Sequence, residues 1–164
     1  MLDRKINILV ILLVFTMTVI GLAFTGAAGA NSIHISAVPV ATPDDKPLYS
    51  GYKGVTIGMK QDEARTKLGM PKDKTDEQES YVFSDNESAQ VYYDAGKVVT
   101  AIMITYNGKL DTAPNAKAVF GEDAQAKPDG GIFKMVRYPK AGFWISYNKT
   151  AGDDPLIIIA IQKM

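Results

Sequence analysis

The chain reads as an α+β fold in which two helix-plus-three-strand repeats form one antiparallel sheet with the helices on one face. Three observations lead there. A shift of 52 residues superimposes the two halves without a gap, bringing Ala64 onto Ala116, Leu68-Gly69 onto Phe120-Gly121, Tyr81 onto Phe133 and Tyr92 onto Trp144. Each half opens with a short segment of helical spacing closed by a glycine. Each then runs through three segments of alternating or β-branched character.

The first helix is expected over residues 61–68. Ala64 and Leu68 lie four apart on one face, and Asp62 and Glu63 stand in the first turn, where carboxylates suit the helix dipole. Gly69 ends it and Pro71 prevents its continuation. In the second half Thr112 can cap and Pro114 lies near the first turn. Ala116, Val119 and Phe120 face inward, and Gly121 is the stop.

Strands follow over residues 80–84, 90–93 and 98–106, with Asp94-Ala95-Gly96-Lys97 as a hairpin connection. The second set covers residues 131–138, 143–147 and 156–161. Strand parity puts Tyr81, Phe83, Val91 and Tyr93 toward the helices. The repeat then adds Phe133, Met135, Phe143 and Ile145 to that side and turns Val82, Lys134, Val136, Tyr92, Trp144 and Ser146 to the open face.

The amino terminus has a different character. Arg4 and Lys5 precede an uncharged, mostly apolar run over residues 6–24, and small residues follow, ending in Ala28-Gly29-Ala30. That order is the pattern of an export signal cleaved after Ala30. The competing reading is a retained anchor, since nineteen such residues approach a bilayer-spanning length. Both readings place the remainder outside the cytoplasm, in the periplasm or extracellular space. The expected organisation is therefore residues 1–30 as signal peptide or anchor, 31–50 as a proline-bearing flexible lead-in, 51–108 as the first repeat and 109–164 as the second.

Composition narrows the chemistry. The 164 residues contain no cysteine, which removes disulfides, thiolate nucleophiles, thiolate metal sites and lipid attachment at cysteine. Basic and acidic residues balance at 18 each, which disfavours nucleic acid, and membrane contact is expected only through a retained amino-terminal segment. His34 is the single histidine and falls in the lead-in, so a Ser/His/Asp triad and a histidine metal site are not expected. Asp153-Asp154 lacks the alternating oxygen ligands of a calcium loop, and no glycine-rich phosphate loop is present. The acidic stretch Asp73, Asp76, Glu77 and Glu79, interleaved with Lys72 and Lys74, reads as a solvated linker. The expectation is no catalytic residue, no metal and no cofactor.

Gly58-Met59-Lys60-Gln61-Asp62-Glu63-Ala64, continuing to Leu68-Gly69-Met70-Pro71, resembles the opening of the SmpA/OmlA (BamE-like) domain. The tandem arrangement is similar to the β-lactamase-inhibitor-protein-like fold. Residues 55–106 carry this likeness by motif, and residues 111–163 by pattern alone. The resemblance implies an envelope or secreted protein that works by protein contact. Two features depart from it: there is no lipidated cysteine, and Lys60 stands where a Thr or Ser cap is usual.

The functional expectation is an exported protein-interaction module whose open sheet face, centred on Tyr92 and Trp144 with Lys134 nearby, binds a protein partner. Aromatic anchors among polar neighbours are what such surfaces favour. Three alternatives stay open: Trp144 as a core residue, a binder of small ligands or peptidoglycan fragments, and a hydrolase using carboxylates from separate strands. Mass spectrometry of the exported protein is expected to show an amino terminus at Asn31. An intact amino terminus retained with membranes establishes the anchor instead.

Overall fold

The computed structural model describes residues 46–164. The expected signal peptide, most of the lead-in and His34 lie outside the described residues. Among the described residues no helix is long and apolar enough to cross a membrane.

A two-residue ribbon comes first, β1 (Gly51–Tyr52) against β2 (Val55–Thr56). Helix α1 (Gln61–Leu68) follows as expected, with no side-chain cap from Lys60. It stops at Gly69, whose φ of 86° few side-chain-bearing residues adopt and whose N–H bonds the Arg65 carbonyl at 2.8 Å. Then come β3 (Asp73–Lys74), β4 (Gln78–Ser84), β5 (Glu87–Tyr93) and β6 (Val99–Tyr106). Helix α2 (Ala116–Phe120) leads into β7 (Ile132–Tyr138), β8 (Phe143–Lys149) and β9 (Ile157–Lys163). The cap of α2 is Asn115 rather than Thr112. Its Oδ1 accepts from the Ala118 N–H at 2.8 Å, so the helix starts only where that bond can close.

The main sheet has seven antiparallel strands in the order β3-β4-β5-β6-β9-β8-β7. The seventh beyond the expected six is the edge strand β3. Two three-stranded meanders meet at β6 and β9, paired from Ala101 opposite Gln162 to Tyr106 opposite Ile157. The joint is rich in isoleucine: Ile102, Ile104, Ile159 and Ile161 are fully buried on one side of it.

Parity separates the faces. Glu79, Val91, Ile102, Ile161, Ile145 and Val136 form a continuous row on the inner face. Ala64 of α1, Val119 of α2, and Tyr52 and Val55 of the ribbon join these residues in one core cluster.

The 52-residue register does not survive into the strands. The starts of β4, β5 and β6 are separated from those of β7, β8 and β9 by progressively longer spacings, and the face alternation of β7 is reversed relative to expectation. Phe133, expected inside, is 49% exposed, whereas Val136, expected outside, is buried. Lys134 likewise points to the core side, over the Phe120 ring, with its Nζ 2.6 Å from Glu122 Oε1. The loop between α2 and β7 sets this phase, and a one-residue change in phase turns every side chain of a strand over.

Separating the halves uncovers the β6 edge of one and the β9 edge of the other, and three strands with one short helix make a marginal core. A fragment ending at Gly108 is therefore expected to show no cooperative thermal transition. A sharp transition in that fragment establishes the halves as autonomous.

Candidate functional site

The open face of the sheet is built from three cross-strand rows. Gln78, Tyr92, Ala101, Gln162, Trp144 and Arg137 make the first. Ser80, Gln90, Met103, Ala160, Ser146 and Met135 make the second, and Val82, Ser88, Thr105, Ile158, Asn148 and Phe133 the third. Arg137 carries the only charge among these positions. A solvent-facing side of an antiparallel sheet is ordinarily polar. Here it is poor in charge and partly apolar, with Val82 and Phe133 markedly exposed and Lys127 Nζ 5.8 Å from the Phe133 ring centre.

Tyr92 and Trp144 both lie on this face, as strand parity requires, and share one row. Three strand steps separate them, about 14 Å at the usual spacing. Both are half-buried. The Tyr92 hydroxyl donates to Gln90 Oε1 at 2.9 Å, and burial pushes its pKa up. Beside Tyr92 the small side chains of Ala101 and Ala160 leave a depression of about 390 Å³, also lined by Met103 and Gln162 and bordered by the cationic Lys163. A bulge at Thr100 gives this corner its shape, since Tyr92 pairs with Ala101 but Tyr93 with Val99. Lys134 leaves this set, because its ammonium is engaged on the core side. Phe133 enters it, an exposed aromatic that the repeat register hid.

The other face holds an unexpected charge. Glu79, read from sequence as part of a solvated acidic linker, is completely buried in β4. Its Oε1 accepts from Arg65 Nε at 2.7 Å, from a second Arg65 guanidinium nitrogen, and from Gln61 Nε2 at 3.2 Å. Its Oε2 accepts from the Tyr81 hydroxyl at 2.6 Å and the Tyr93 hydroxyl at 2.8 Å. Burial by itself raises the pKa of Glu79. The bonds from Arg65, Tyr81 and Tyr93 outweigh that and hold it below the usual carboxylate value. Burial and the same carboxylate push both tyrosines well above their ordinary range, so they remain donors. Gln61 and Arg65 are four residues apart on α1, so one helical face delivers both to one carboxylate.

A second carboxylate, Glu87, accepts from the Tyr52 hydroxyl at 2.6 Å and lies 3.4 Å from Lys53 Nζ, which ties the ribbon to the sheet. Lys53 also sits over the rings of Tyr52 and Phe83. Among the described residues no group of three His, Cys, Asp or Glu is placed to hold a metal ion. Comparison with protein-family models, curated proteins and solved structures returns no match.

The depressed pKa of Glu79 has a pH consequence. Its stabilising contribution is complete above the unfolded value of 4.5 and is lost as pH falls through the lower folded value. Glu79→Gln is expected to cost about 2–4 kcal/mol near neutral pH, because it breaks a buried ionic network. Urea unfolding of both proteins is expected to show that gap narrowing as pH falls below 4.5. A gap of constant size across that range contradicts the assignment.

Proposed function

We propose that the chain is an exported protein-interaction module of the cell envelope or extracellular space that binds a protein partner through the open sheet face. The supporting observation is the low charge of its three rows, where Arg137 is the one charged position and Lys127 and Lys163 stand at the border, with Tyr92 and Trp144 on one row and Phe133 and Val82 at its margin. Depletion of charge with retention of Tyr, Trp and Met is the composition of an interface core. The three rows span roughly 500–600 Å² at ordinary strand spacings. A standard interface takes about 800 Å² from each partner, so docking extends onto adjoining loops.

In this reading the chain comprises two helix-plus-three-strand units sharing a sheet, and residues 1–30 direct export. The resemblance of residues 58–71 to the opening of the SmpA/OmlA (BamE-like) domain agrees with contact work rather than catalysis. The two carboxylates drawn toward the core favour the same reading over a hydrolase. Glu79 is held ionised with every acceptor position engaged, and Glu87 is occupied by Tyr52 and Lys53. A general acid needs a raised pKa and access to substrate.

A photo-crosslinking residue at Met103 in the full chain is expected to capture a protein from the host envelope, whereas one at the exposed Lys117 of α2 is not. With that protein in hand, Trp144→Ala is expected to weaken binding by about 2 kcal/mol, as an anchor does. Its folding stability should change by under about 1 kcal/mol. A loss of several kcal/mol in stability assigns Trp144 to the core and removes the face.

A further inference from the structure

On the side of the sheet opposite the proposed docking face, three cations from three separate elements line one recess of about 570 Å³. Arg65 comes from α1, Lys74 from edge strand β3 and Lys97 from the β5–β6 hairpin, with Gln61, Thr75 and Asp76 completing the wall. We propose that this recess binds a small polyanion through its phosphoryl or carboxylate oxygens.

Each cation is prepared differently. The Arg65 guanidinium is fixed by two bonds to the buried Glu79 carboxylate, yet its side chain remains 34% exposed toward the recess. It therefore loses little freedom on meeting a ligand. Lys74 makes no ion pair and no hydrogen bond through its ammonium among the described residues.

Lys97 occupies a left-handed backbone conformation, φ 56°, where glycine is the usual occupant. The hairpin turn, closed by the Lys97 N–H on the Asp94 carbonyl at 2.9 Å, fixes where this side chain leaves the backbone. Its Nζ donates to the Asp76 carbonyl at 2.6 Å, which aims the ammonium across the recess and leaves two protons to donate.

Arg65 is already paired, with the buried Glu79 and with the exposed Asp62 at 3.7 Å, so the positive charge open to a ligand rests chiefly on Lys74 and Lys97. The Asp76 carboxylate is 3.9 Å from Lys97 and fully solvated, so an incoming anion displaces it readily. The recess contains no aromatic side chain on which a base could stack. The preferred ligand is therefore compact and highly charged.

The test is calorimetric titration of the full chain at low ionic strength with pyrophosphate and, separately, with citrate. Saturable binding of at least one is expected, and the tighter of the two assigns the ligand oxygens to phosphoryl or carboxylate. Lys74→Gln combined with Lys97→Gln is expected to weaken that binding by at least about tenfold, through loss of charge-assisted bonds. Asp76→Asn is expected to tighten it by about two- to fivefold, the range of a surface charge contact. Unchanged thermal melting in these variants shows that they fold. Absence of saturation by either anion up to about 10 mM, or equal affinity in the double lysine variant, overturns the proposal. Neither result bears on the open face.

Discussion

The pairing of β6 with β9 is the constraint on which the rest of the molecule depends. It joins two three-stranded meanders that are each marginal alone, and it buries four isoleucines between them. The same ladder sets the rows. Because Ala101 lies opposite Gln162, Tyr92 on one side and Trp144 on the other fall on one line across the sheet. A slip by one residue sends Ile159 and Ile161 into solvent, so burial on the inner face enforces the order of the outer one.

Much of the architecture was legible from residues alone, because local signals agreed. Helix α1 falls at residues 61–68 with Gly69 at its end, and the Asp94–Lys97 connection forms as a turn in which Asp94 Oδ1 accepts from the N–H groups of Gly96 and Val98. Long alternating segments also placed Tyr92 and Trp144 on the open face. What failed was phase carried over distance. Ala64 and Ala116 are both buried helix residues and Gly69 and Gly121 both end their helices, but the alternation of β7 is shifted, exchanging the faces of Phe133 and Lys134. No composition rule reports such a shift. The β7 sequence offers a signal of its own: Ile132, Val136 and Tyr138 share a parity that Phe133 does not.

Glu79 was hidden for a different reason. Its neighbours Asp76 and Glu77 are solvent-facing, and proximity in sequence made the group look uniform. Strand pairing separates them, since Asp76 and Glu77 precede β4 whereas Glu79 lies within it opposite Val91 and shares parity with Tyr81, and the Gln61/Arg65 pair on α1 offers donors at helical spacing. A buried ionic network is not an efficient source of stability, because desolvation offsets much of the attraction. What it supplies here is position. Gln61 and Arg65 meeting at the same carboxylate tie α1 to β4, and Arg65 also reaches the rim of the cationic recess. The described residues thus keep most of their paired charge on the helix side and a surface poor in charge on the open side of the sheet.

The absence of cysteine from the chain makes the strand register directly measurable. Ala101→Cys with Gln162→Cys places two thiols on opposed positions of the central ladder, between Tyr92 and Trp144. Ala101→Cys with Ala160→Cys places them diagonally, about 7–8 Å apart at the backbone and beyond comfortable disulfide reach. Mild oxidation of each full-length variant, followed by peptide mapping, is predicted to link the opposed pair far faster than the diagonal one. Preferential linkage of the diagonal pair contradicts the register, and with it the shared row of Tyr92 and Trp144.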